Sequence, residues 1–173
     1  MESQSNSLQS TMLKYGAFLS AISIIYSLML FFLDLHYGQE MATGLLSIAI
    51  TIAFIVIGIY AHKKEKDGFL SLSEALKIGL GIAMISAIAG ILYSAFLIKV
   101  LDPNVLEVGL EFQRERLLDD PELSVQQVDA YINQQKQFSG LGYLSVGILI
   151  MSLVIGFATS LISGLILKKS RPE

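Results

Sequence analysis

Cysteine is absent from the chain, which excludes disulfide scaffolds, thiol catalysis and cysteine-ligated zinc or iron–sulfur centres. Charge is scarce as well: Asp, Glu, Lys and Arg make up 16% of the 173 residues, against about a quarter in ordinary soluble domains. The balance is slightly acidic, at a formal net charge of −3, and no basic stripe is present, so nucleic acid is not an expected partner. Hydrocarbon fills the chain instead. Apolar residues reach 53% and mean hydropathy is +0.62, which is too oily for a domain surrounded by water and reads as a membrane protein.

Runs of about 18 or more apolar residues are span candidates, because about 20 residues at 1.5 Å each cross a hydrocarbon layer of about 30 Å. Four such runs stand in the sequence: Tyr15 to Leu33, Met41 to Ala61, Ala75 to Ile98 and Leu141 to Leu167. They are read as helices, since a lone strand in lipid would leave its backbone groups unpaired and the alternation of barrel strands is missing. The first run exceeds the apolar core of a signal peptide, about 7 to 15 residues, and no A-x-A-like site follows Leu33, so it is read as a retained span.

Basic residues set the expected threading. Lys14, Lys63, Lys64, Lys66, Lys77, Lys168, Lys169 and Arg171 fall on one side, eight of the twelve, while the connection Asp34 to Glu40 has none. Both termini and the second connection are therefore expected in the cytoplasm. The third connection holds Lys99, Arg114, Arg116 and Lys136 against eight acids from Asp102 to Asp129.

Start signals punctuate these segments. Ser71 and Glu74 fit a capping box ahead of span three, with Lys77 one turn beyond Glu74 and able to pair with it at the interface. Asp102 as N-cap and Pro103 at the first helical position predict an amphipathic helix to about Leu118, carrying Leu106, Leu110 and Leu117 on its apolar stripe. Asp119-Asp120-Pro121 breaks it. Ser124 and Gln127 form a second capping box that leads into Val128, Tyr131, Ile132 and Phe138, a helix expected to run on into span four. These two helices must bury their stripes on each other, on the ends of the spans, on lipid headgroups or on a partner.

The span interiors contain no ionisable residue, although pumps and ion-coupled transporters usually retain one there. His36 and His62 fall at ends expected to face opposite sides, so no metal site is expected, and no cofactor site is recognisable. Small residues at packing intervals are plentiful. Ser152, Gly156, Ser160 and Gly164 recur every fourth residue on span four. Span three carries Gly79, Ala83 and Ala87 on one line and Ser86, Gly90 and Ser94 on another. Such edges let helix backbones approach closely where no hydrophobic effect drives them together, within one bundle or between copies. Tyr15, Tyr37, Tyr60, Tyr93 and Tyr143 lie near span ends, as interfacial aromatics do.

The order of four spans, the stretch from Gly68 to Gly79 (GFLSLSEALKIG) entering span three, the Asp102-Pro103 start of an acidic amphipathic insert and the glycine-rich last span ending in Lys168-Lys169 together resemble a family. It is a bacterial family of small inner-membrane proteins catalogued as a domain of unknown function (number four-one-nine-nine). The resemblance covers nearly the whole chain and rests on topology. It implies a bacterial inner-membrane location and supplies no substrate, cofactor or active residue.

The expected fold is an all-α polytopic membrane four-helix bundle, with an extramembrane amphipathic helical hairpin over residues 102–138 between spans three and four. The expected role is a non-enzymatic structural, accessory or interaction module, partnered by the lipid bilayer and by a second copy or another membrane protein. The competing reading is a small transporter or channel for an uncharged or amphiphilic solute, which a continuous polar cavity reaching mid-membrane would favour.

Overall fold

The computed structural model describes residues 2–37 and 41–169, with side chains from residue 7 onward. Gln39, Glu40 and Arg171, which entered the threading argument, lie outside the described residues. The elements are α1 Glu2–Phe32, α2 Met41–Glu65, α3 Leu72–Phe96 with a π-helical turn Leu97–Leu101 continuing it, α4 Val105–Leu118, α5 Val125–Gln137 and α6 Leu141–Leu167. Among the described residues the only strand-like pairing is one antiparallel bridge, Leu70 with Lys169. Four segments are long and apolar enough to cross a membrane: Ser7–Phe32, Met41–Glu65, Leu72–Leu101 and Leu141–Leu167.

The first three helices outrun the apolar stretches that announce them. Helix α1 starts well before Tyr15, because Leu8 packs against the core and the Thr11 hydroxyl returns to Ser7 O at 2.9 Å. Helix α2 passes Ala61 by a turn that carries His62, Lys63 and Lys64, where positive charge suits the negative end of the helix dipole.

Helix α3 occupies the middle of the bundle, packed against α1, α2 and α6, while α2 also touches α1 and α6. Helices α1 and α6 therefore lie on opposite sides of the α2–α3 pair and make no contact with each other among the described residues. The core is a thin column of Leu19, Ile55, Ile59, Ile78 and Ile82 with Ala75 and Ala83. Large apolar side chains cover the outside, Ile166 and Phe32 among them at 76% and 78% exposure. In water that surface would be a severe liability, whereas lipid accepts it and leaves close packing and hydrogen bonding to hold the helices together.

One end of the bundle collects the start of α1, the end of α2, the start of α3 and the end of α6. Thr11 Oγ1 lies 3.3 Å from His62 Nδ1, Lys66 Nζ donates to Glu74 Oε1 at 2.7 Å, and Leu70 and Lys169 exchange backbone bonds of 3.1 and 2.9 Å. Lys14, Lys63, Lys64, Lys66, Lys77, Lys168 and Lys169 all belong to this end. The turn before α3 uses Gly68 at φ +85, a left-handed conformation that suits glycine. Ser71 then caps α3: its hydroxyl accepts from the Glu74 amide at 3.2 Å and its own amide donates to Glu74 Oε2 at 2.9 Å.

Helices α4 and α5 lie at the other end and pack on each other, with Arg114 Nε donating to Asp129 Oδ1 at 2.8 Å and Val128 buried. Helix α4 also touches the π-helical turn, whereas among the described residues α5 packs on none of the spans. Ser124 and Gln127 make a reciprocal cap at the start of α5, the hydroxyl accepting from the Gln127 amide at 3.3 Å.

Two expectations are corrected here. Asp102 is not the N-cap of α4 and Pro103 is not its first residue; Asn104 holds the cap position without a side-chain bond. Asp102 instead closes a turn, its Oδ1 accepting from the Asn104 amide at 3.1 Å, while Oδ2 is engaged by the loop after α1. Nor does α5 continue into span four. Phe138 ends it, and Gly140 starts α6 from an extended conformation at φ −67, ψ 152.

Candidate functional site

The loop after α1 folds back over the helix end, with Asp34 at φ 56 and the Leu35 amide donating to Leu30 O at 2.9 Å. That reversal delivers His36 and Tyr37 to Asp102, at the exit of the π-helical turn. The Tyr37 hydroxyl donates to Asp102 Oδ2 at 2.5 Å, and His36 Nε2 stands 3.3 Å from the same oxygen. The His36 and Asp102 side chains are only 8% and 13% exposed. The His36 ring lies 5.0 Å from Phe31 and 3.9 Å from Tyr37, and Tyr37 stacks on Phe112 of α4 at 6.1 Å. This cluster joins the α1–α2 connection to the start of α4.

Its electrostatics follow from those bonds. The Tyr37 hydroxyl, then His36 and the Asn104 amide, hold the Asp102 carboxyl below its ordinary range against the opposing effect of burial. Donation to that carboxylate raises Tyr37, and burial and the charges of Asp102 and Asp34 add to the rise. His36 Nδ1 is buried without a hydrogen-bond partner among the described residues, an arrangement that native structures seldom leave unexplained.

Beside the cluster is a cavity of about 490 Å³, walled by His36 and Tyr37, by Val105, Leu106, Gly109, Leu110 and Gln113 of α4, by Tyr131, Gln134 and Gln135 of α5, and by Phe138, Ser139 and Leu144. Among the described residues no Lys, Arg, Asp or Glu belongs to that wall. A smaller cavity of about 210 Å³ adjoins it across Gly109 and Gln113, against Tyr37, Phe112, Arg116 and Leu117.

The small residues form a different kind of feature. Gly156, Ser160 and Gly164 are buried against Gly79, Ala83, Ala75 and Leu72 of α3, so the α6 edge is used within the chain. A Cβ on Gly156 would come within 2.6 Å of the Ala83 Cβ, and one on Gly164 within 2.8 Å of Leu72 Cδ1. Ser160 is fully buried, and its hydroxyl is satisfied by Phe157 O at 3.1 Å. Ala87 is buried, whereas Ser86, Ser94 and Ser152 are half-buried. At Gly90 the nearest atom to an added Cβ would be Ile148 Cγ2 at 3.9 Å, so the seam is looser toward the end that carries α4 and α5.

Lys77, read as a possible partner of Glu74, is displaced from that role by Lys66. His62, a span-end residue by sequence, is fully buried, with Nε2 lacking a partner among the described residues. The spacing Ile55, Ile59, His62 carries the signal that places it on the core face. The His36–Tyr37–Asp102 cluster had no such signal, since its members are far apart in sequence. Among the described residues no group of three His, Asp or Glu side chains is placed to hold a metal ion.

A packed bundle of four apolar helices, with a cavity of mixed polar and apolar lining beside two amphipathic helices at one end, defines a helical protein of membrane-spanning type. The chain belongs to the family described as "Protein of unknown function (DUF4199)", whose model matches residues 14–169. No curated protein and no solved structure matches it.

Proposed function

We propose that the protein is a non-enzymatic interaction or accessory module of the bacterial inner membrane, threaded with both termini and the α2–α3 connection in the cytoplasm and with α4 and α5 as an extramembrane hairpin. The observation that carries this reading is the α3–α6 seam. Its small residues from Gly156 to Gly164 are spent on close contact within the chain, which gives the polar end a packed support and leaves no room along that stretch for a solute. Orientation is supported by the gathering of seven described lysines at the opposite end. The bilayer is one partner. A second copy of the chain or another membrane protein is the other, and it meets the hairpin where Phe112, Leu118, Leu123 and Val125 stand exposed.

Photocrosslinking in native membranes tests this. A photoreactive residue at Phe112 or Val125 should give one discrete adduct, and the same residue at Ile166, facing lipid, should give none. The transporter reading replaces this one if purified protein in liposomes passes an uncharged solute faster than empty liposomes and no discrete adduct forms.

A further inference from the structure

The wall of the 490 Å³ cavity has a chemistry that selects its occupant. A charged headgroup would give up part of its hydration there and meet no opposite charge on the wall, since among the described residues no Lys, Arg, Asp or Glu lines the space. Gln113, Gln134 and Gln135 each present a carboxamide that both donates and accepts, the same dual capacity that a hydroxyl has. Tyr131 adds a hydroxyl that already accepts from Gln135 Nε2 at 2.7 Å and keeps its own proton to give. His36, whose buried Nδ1 has no partner among the described residues, belongs to the same wall. The remaining surface is apolar, with Leu106 and Leu110 on α4 and Leu144 in the first turn of α6, where the last span begins. The volume falls within the range of about 300–1,000 Å³ common to small-molecule sites.

We propose that this cavity binds an uncharged, hydroxyl-rich head that carries an apolar portion, the head hydrogen-bonded to the glutamine carboxamides and the apolar portion lying along Leu106, Leu110 and Leu144. The chemistry is that of a neutral glycolipid reaching up from the bilayer or of a free sugar derivative arriving from water. It goes beyond the interaction-module reading and stands whether or not a protein partner docks on the hairpin.

Gly109 provides the means of testing it. The residue lines the cavity from within α4, and a Cβ added there meets nothing within 4 Å. Gly109→Leu therefore sends a side chain from an open Cβ position into the cavity and improves helix propensity. Hydrogen exchange of the full chain is compared in nanodiscs of phosphatidylcholine, of phosphatidylcholine with phosphatidylglycerol, and of phosphatidylcholine with monogalactosyl diacylglycerol. A fourth sample in phosphatidylcholine receives methyl galactoside in the water. At about ten times the dissociation constant, a bound ligand should slow exchange about tenfold in the segments 105–118 and 125–139. Slowing by the galactolipid alone assigns the lipid source, and slowing by methyl galactoside as well assigns the free one. Either effect should vanish in Gly109→Leu and weaken in Gln113→Leu. The proposal is overturned if neither galactoside slows exchange, if anionic phosphatidylglycerol slows it equally, or if Gly109→Leu keeps its helical circular dichroism and the full effect.

Discussion

Gly79 on α3 and Ser160 on α6 approach so closely that a methyl group on the glycine would collide with the Ser160 Cβ. Lipid tails are as apolar as the helices, so that intimacy, and not exclusion from solvent, is what holds the seam. Gly79→Ala should cost about 1–3 kcal/mol through overpacking, and Gly156→Ala, facing Ala83, should do the same. Gly147→Ala on α6 is the comparison, because nothing lies within 4 Å of its added Cβ. Reversible unfolding in mixed micelles should rank Gly147→Ala with the parent protein and both seam variants well below; equal stability for all three would remove the seam from the account.

The cluster at Asp102 should make the polar end acid-sensitive. Its folded carboxyl titrates below the ordinary value of 3.8, so the associated stability is complete above that value and is lost as pH falls through the lower, folded one. Asp102→Asn should flatten this part of the profile, and Tyr37→Phe should move the loss to higher pH, since Tyr37 is the largest cause of the lowering. Exchange protection in the segment 102–113, followed from neutral pH into acid, is the measurement. Parallel acid profiles for all three proteins would mean that Asp102 does not secure the loop.

Threading can be read with single cysteines against a background free of them. Gln126→Cys on α5 should react with an impermeant thiol reagent added to intact cells, and Glu65→Cys at the end of α2 should react only after the membrane is opened. Both positions are exposed. The reverse pattern would turn the molecule over.

At the lysine-rich end, Glu74 closes the Ser71 cap and receives Lys66. Glu74→Gln retains the return bond to the Ser71 amide and loses the ion pair, whereas Glu74→Ala loses both and keeps only the Ser71 hydroxyl on the backbone amide of residue 74. The second change should be the more destabilising by about 1 kcal/mol, the usual net worth of one hydrogen bond. Identical unfolding midpoints for the two variants would leave the cap without energetic weight.

The spans and both capping boxes were legible because their signals are local: an apolar run long enough to cross lipid, and two residues three apart that satisfy each other's amides. Asp102-Pro103 misled for the same reason. The pair has the composition of a helix start, but Asp102 is claimed by Tyr37 and His36 from another connection, and no local rule contains that competition. Glu74 and Lys77 likewise have good spacing, yet Lys66 reaches the carboxylate from across the turn. The small residues on α6 marked a close contact without naming its partner, since an i, i+4 edge looks the same facing α3 as facing a second copy. The cavity was beyond reach, because its wall comes from the α1–α2 connection, α4, α5 and α6 at once.

The pairing of Leu70 with Lys169 settles something that the seam leaves open. Ser152, Gly156, Ser160 and Gly164 repeat every four residues, so α6 could slide along α3 by one repeat, about 6 Å, and still offer a small residue near each old position. A groove of such regularity is a ratchet with several equivalent notches. The two backbone bonds between Leu70 and Lys169 exist in one notch alone, and a slip of even a single residue, about 1.5 Å, pulls them apart. A bond pair outside the apolar segments thus selects the register of two helices within them.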